Sequence, residues 1–137
     1  MKALLLVLLT MIASAGIAQA GPAADIKASL AISRQHTMAM LGEGDRSVPE
    51  MRYQEAMQAS RNIDALLDRA LGDKAQTAGQ ESLLRFKTVW EQFKATHDQE
   101  IVPALYAGDR AKAKGLAQQV QAGRFMKMNE ILDGMGQ

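Results

Sequence analysis

The sequence contains no cysteine. Thiol catalysis, zinc–thiolate sites and c-type haem attachment are therefore excluded, and the fold must hold without disulfides. Proline occurs only 3 times and aromatic residues make up 4% of the chain. Runs of alternating β-branched residues, the mark of strands, are missing. Neither sign of charge dominates, with 16 basic and 15 acidic residues. That balance lacks the basic excess that nucleic acid requires. There is no glycine-rich phosphate loop, no Gly-x-Ser-x-Gly and no His-Glu-x-x-His, so a non-enzymatic protein is expected.

One apolar run is present, at the start. MKALLLVLLTMIASAGIAQA has Lys2, an apolar centre and the small-x-small end Ala18-Gln19-Ala20, the pattern of a secretory signal peptide. It is short for a membrane span, which needs ~20 apolar residues. Cleavage after Ala20 is expected, giving a periplasmic domain over residues 21–137. An uncleaved anchor is the alternative. Losing Lys2 leaves 15 basic against 15 acidic residues, a net charge of zero.

What remains is rich in Ala, Leu, Gln, Met, Lys and Glu, a helix-forming composition. Ile26, Leu30, Thr37 and Leu41, with Ser33 between, recur at helical spacing and predict a first helix over 24–41. Gly42-Glu43-Gly44-Asp45 ends it. Ser47 and Glu50 form a capping box around Pro49 and start a second helix, with Ala56, Ile63, Leu66, Leu67, Ala70 and Leu71 on one face. Gly72 ends that helix, and Asp73 is the expected cap of the next. The third, over 74–107, carries Leu83, Phe86, Trp90, Phe93, His97, Ile101 and Leu105. The fourth starts at Asp109, carries Leu116, Val120, Met128, Ile131 and Met135, and ends at Gly134 or Gly136. Four one-sided stripes joined by short links predict an all-α, antiparallel up-and-down four-helix bundle.

Two details of the stretch EIVPALYAGDRAKAKGLAQ bear on what the bundle does. Ala107-Gly108-Asp109 reads as a tight turn, Gly108 closing one helix and Asp109 capping the next. Pro103 lies inside the third helix. Its missing N–H frees the carbonyl of Gln99 and should bend the helix within about two turns of His97.

Read as a whole, VWEQFKATHDQEIVPALYAGDRAKAKGLAQQVQAGRFMKMNEI, residues 89–131, resembles the second half of the four-helix-bundle ligand-binding domain of methyl-accepting chemotaxis receptors. The shared features are the Trp90 and Phe93 pair, the Ile-x-Pro-Ala segment at 101–104, the Ala-Gly-Asp turn at 107–109, and the alanines Ala111, Ala113 and Ala117. The resemblance implies a sensor module that binds a small ligand or a receptor partner and pairs as a homodimer. Such receptors continue into a second membrane helix, a HAMP linker and a signalling rod, so this sequence reads as the sensor module alone. No receptor ligand-binding residue can be carried over, because no motif aligns to Arg34, Arg46 or Arg124.

A second reading starts from the histidines and methionines. His97 lies on the apolar stripe of the third helix, and bundle interiors are a common place for a metal or cofactor ligand. A lone core histidine is equally satisfied by one hydrogen bond, the carbonyl freed by Pro103 being the expected partner. His36 and Met40 share a helical face while Met38 points elsewhere. Imidazole with thioether suits Cu(I), and a His/Met pair suits haem iron, although methionine is also an ordinary core filler. At ~1.5 Å rise per residue, His36, Met57 and His97 fall at roughly 9, 12 and 15 Å from a shared end of the bundle. A site of His36, Met57 and His97, with Met40, is therefore allowed. No cofactor is required by the leading reading; copper or haem belongs to this alternative.

Overall fold

The structure is a computed structural model that describes residues 21–42, 50–75 and 77–135. The expected leader over 1–20, the expected helix start at Ser47 and Pro49, and the expected helix end at Gly136 lie outside the described residues.

Among the described residues four helices follow one another. They are α1 (Pro22–Gly42), α2 (Glu50–Gly72), α3 and α4. α3 runs as Gln80–Thr96, a π-helical turn His97–Ile101, then Val102–Tyr106. α4 runs as Arg110–Gly115, a π-helical turn Leu116–Gln121, then Ala122–Met135. Among the described residues there is no strand, and no helix is long and apolar enough to cross a membrane.

Cross-helix pairs set the directions. Lys27 near the start of α1 pairs with Asp133 near the end of α4. Arg110 at the start of α4 donates to the carbonyls of Met40 and Leu41 at the end of α1, 2.9 Å each. Tyr106 reaches Glu50, the Trp90 indole reaches Asp64, and Gln80 reaches the carbonyl of Ala70, so α2 and α3 also run oppositely. The bundle is up-and-down.

The stripes of α1 to α3 supply most of the core, as their spacing predicts. Ile26, Leu30, Ile63, Leu67, Leu83, Phe86, Trp90, Phe93, Met128 and Leu132 make one buried cluster. Met40, Leu41, Ile101, Ala104, Leu105, Ala113 and Ala117 make a second. The 107–109 turn is as expected. Gly108 takes a left-handed φ of 81°. Its N–H donates to Leu105 and that of Asp109 to Ala104, the paired closure of a helix C-terminus that glycine permits. Asp109 then caps α4, its side chain accepting from the Lys112 N–H at 3.0 Å.

Three expectations are corrected. α3 begins at Gln80, not at 74. Asp73 turns back on its own loop, accepting from the Ala75 N–H at 3.1 Å, and so does not cap α3. Gly79, at φ 86°, breaks the chain instead, and a Cβ there would come within 3.1 Å of the Met135 Cε.

Pro103 follows an irregular turn of its helix. The π-helical turn just before it takes up the irregularity, with the Val102 N–H reaching the His97 carbonyl five residues back. The reason lies in the spacing. Phe93, His97, Ile101 and Leu105 are three successive steps of four. At about 100° per residue these overshoot three full turns by roughly 120°. One wider turn keeps all four on the core face.

The third correction is in α4. Val120 is 38% exposed, and Gln121, at 3%, takes the inward place. Here too a π-helical turn intervenes, closed by the Ala122 N–H on the Ala117 carbonyl. The inserted residue rotates the face by about one position, about 100°.

At one end of the bundle, Tyr106 donates to Glu50 at 3.2 Å and stands edge-on to Tyr53. Loss of hydration, then the bond and charge of Glu50, raise the phenol above its ordinary pKa of 10.0. A phenol so held stays protonated to higher pH. In an alkaline absorbance titration, Glu50→Gln should move the Tyr106 ionisation back toward the ordinary value. An unchanged curve would show that Glu50 does not hold it.

Candidate functional site

The two apolar clusters do not merge into one. Between them lies a polar layer. The buried polar side chains among the described residues, Ser33, Thr37, Thr96, His97 and Gln121, all fall in it. It coincides with both π-helical turns, features that often mark functional places in helices.

Thr37, Thr96 and Gln121 are each positioned by a hydrogen bond of the side chain. Thr37 Oγ1 donates back to the Ser33 carbonyl at 3.0 Å. Gln121 Nε2 donates to the Phe93 carbonyl at 2.8 Å, and its Oε1 accepts from Arg124 at 3.1 Å. Arg124 also donates to Thr96 Oγ1 at 2.6 Å. A buried amide is thereby satisfied at both ends, as burial demands.

His97 is the exception. It is 4% exposed, and its Nδ1 lies 2.8 Å from Asp98 Oδ1. A carboxylate only accepts, so the bond places the ring proton on Nδ1. In the neutral ring so oriented the lone pair is on Nε2, a buried atom with no hydrogen-bond partner among the described residues. The expected bond to the carbonyl freed by Pro103 is not made. Leaving such a group unpaired costs roughly 1–3 kcal/mol.

The ring borders a small chamber of about 10 Å³, lined by Arg34, Thr37, Met38, Phe93, His97, Ile101, Ala117 and Gln121. That is about the least space that holds one water. Arg34 directs its charge over the Phe125 ring, 4.5 Å from the centroid.

The other sequence candidates sit elsewhere. His36 is part of a shallow groove between α1 and α2, about 190 Å³, with Ser29, Ile32, Glu55, Gln58, Ala59 and Asn62. Its Nδ1 lies 2.9 Å from Glu55 Oε2, and Arg52 shares that carboxylate. Met40 is fully buried in the second apolar cluster. Met57 is half-buried on α2 and lines neither concavity. The structure thus does not gather His36, Met40, Met57 and His97 round one point. Met38, set aside by the helical-face argument, is the methionine that shares the chamber with His97. Among the described residues no three His, Cys, Asp or Glu side chains are grouped as a metal would need.

A larger cleft of about 480 Å³ opens at the far end of the bundle, between Gly21, Ala70, Gly79, Leu83 and Met135. Glycine, alanine, proline, serine, glutamine, leucine and methionine line it. No charged side chain there could fix an ion or a carboxylate.

Two signals in the sequence point to the chamber. The steps of four from Phe93 to Leu105, and again from Ala113 through Ala117 to Gln121, exceed the α-helical period. The polar residues Ser33 and Thr37 interrupt the stripe of α1. Compared with known protein families, with curated proteins and with solved structures, the chain shows no match.

Proposed function

We propose that this chain is an exported, non-enzymatic, sensor-like four-helix bundle whose binding centre is the His97 chamber. It acts in the periplasm as a homodimer and passes its occupancy to a receptor partner. One observation carries the reading: a buried imidazole, oriented by Asp98, holds an unused lone pair in a polar layer between two π-helical turns. A protein core normally satisfies or removes such a group. The likeness to chemoreceptor ligand-binding domains over residues 89–131 supports the sensor role, and the leader pattern supports export.

The same imidazole favours a second reading, a periplasmic metal-binding bundle. Metal-ligating histidines commonly donate their other ring N–H to a carboxylate, as His97 does. Haem does not fit. Cofactor-sized ligands occupy roughly 300–1,000 Å³, whereas the chamber beside His97 measures about 10 Å³.

The test is a thermal-shift panel of atom-sized solutes, monovalent and divalent metal ions and halides, on the mature protein, beside His97→Asn. At least one solute should raise the melting temperature of the wild type and leave the variant unmoved. Solutes that shift both proteins equally, or none at all, would remove the chamber as the binding centre.

A further inference from the structure

Resting on the chamber as the binding centre, we propose that His97 Nε2 and the Met38 thioether form a site for a soft monovalent cation, Cu(I). Four observations converge on this ion class. The first is the unpartnered, buried Nε2 of a residue 4% exposed, its neutral tautomer set by Asp98. The second is that Met38 is the sulfur-bearing residue of the same chamber wall. Imidazole nitrogen with thioether sulfur is a donor pair that Cu(I) accepts and hard cations refuse.

Size is the third. A chamber of about 10 Å³ admits a single atom or one water, not an amino acid or a porphyrin. The fourth is charge. No group of three His, Cys, Asp or Glu side chains exists among the described residues, so Zn(II) and Ni(II) lack the ligands that would neutralise them. Arg34 borders the chamber with its charge held over Phe125. Its repulsion doubles for a divalent ion relative to a monovalent one. A low-coordinate soft ion needs only two neutral donors, which are the two that the wall provides.

Binding here would also explain the divided core. The ion replaces the missing partner of Nε2, in the layer where both π-helical turns lie.

Anaerobic competition against a chromophoric Cu(I) chelator tests the site, using the mature protein, Met38→Leu and His97→Asn. Met38→Leu conserves volume, so folding should survive it. The wild type should withdraw one equivalent of Cu(I). Met38→Leu should bind at least about tenfold more weakly, one factor of ten being about 1.4 kcal/mol. His97→Asn should compete no better than buffer. Nitrogen-15 spectra with Ag(I), a stable stand-in for Cu(I), should move the His97 Nε2 resonance and leave His36 in place. Equal competition by wild type and Met38→Leu would overturn the proposal, as would no withdrawal at all. If Cu(I) fails while another solute still gives a His97-dependent thermal shift, the ion class is wrong and the chamber stands. If both fail, the chamber reading falls with it.

Discussion

Trp90→Ala will lower the unfolding free energy by about 3–5 kcal/mol, the range for emptying a buried aromatic site. Trp90 is 1% exposed and stacks on Phe93 at 5.7 Å between centroids. Its indole N–H donates to Asp64 Oδ1 at 2.8 Å, and Lys94 reaches the same oxygen at 2.8 Å. The alanine variant therefore loses core volume and one hydrogen bond, while Asp64 keeps its lysine. Bundles of this size have total stabilities of roughly 5–15 kcal/mol, so about a fifth of the margin or more goes. Urea unfolding followed by far-ultraviolet circular dichroism measures it. Trp90→Phe should cost less than half as much, since it retains most of the ring. Equal losses in the two variants would mean that the hydrogen bond to Asp64, not the packing, dominates.

The second large effect concerns chain length. Deleting Gln119, which is exposed in the π-helical turn of α4, should leave the bundle folded, with stability within about 1 kcal/mol of the wild type. The wide turn contains one residue more than an α-helix needs, so its removal returns α4 to regular geometry. The spacing from Ala117 to the inward glutamine then drops from four to three, which an α-helix accepts. Deleting Gln35 in α1 should behave oppositely. That helix has no wide turn to absorb the loss. One flank must rotate by about 100°, taking either Ile26 and Leu30 or Met40 and Leu41 out of the core. Two large aliphatic side chains at about 2–5 kcal/mol each approach the whole stability. The same pair of deletions separates fold from site. Without Gln119 the wall formed by Ala117 and Gln121 moves, so His97-dependent thermal shifts should vanish in a protein that still melts cooperatively. A ΔGln119 protein that is unfolded would show that the wide turn is needed for folding itself.

Much of this was readable from residue order, and the limits have a physical cause. Helical period is a property of local sequence, so the stripes of α1 to α3 named the core and put His97 inside it. Glycine and aspartate act through backbone geometry at one position, so the 107–109 turn was readable too. Val120 and Gln121 were not. Choosing between them requires the phase of α4 after a wide turn, and that phase depends on what α3 presents across the interface. Gln121 is inside because the Phe93 carbonyl and Arg124 satisfy its amide. Met38 was missed for a related reason. Its place on α1 is half-buried, and only the gap left by the opposing π-helical turns makes it a neighbour of the chamber. The pairing of His36 with Glu55 likewise follows from the way α2 lies beside α1, which residue heights along separate helices do not specify.

Arg110 gives the bundle an uneven grip on its first helix. Two carbonyls at the end of α1, which a helix leaves without internal partners, are tied by one guanidinium at 2.9 Å each. At the opposite end the tie between α1 and α4 is the exposed pair Lys27 and Asp133, worth roughly 0–1 kcal/mol. The polar ties on α1 are thus concentrated at its Leu41 end, while its Pro22 end is held by apolar packing, Ile26 and Leu30 being fully buried in the larger core cluster. Salt or a charge-removing substitution should therefore loosen the two ends of the same helix unequally.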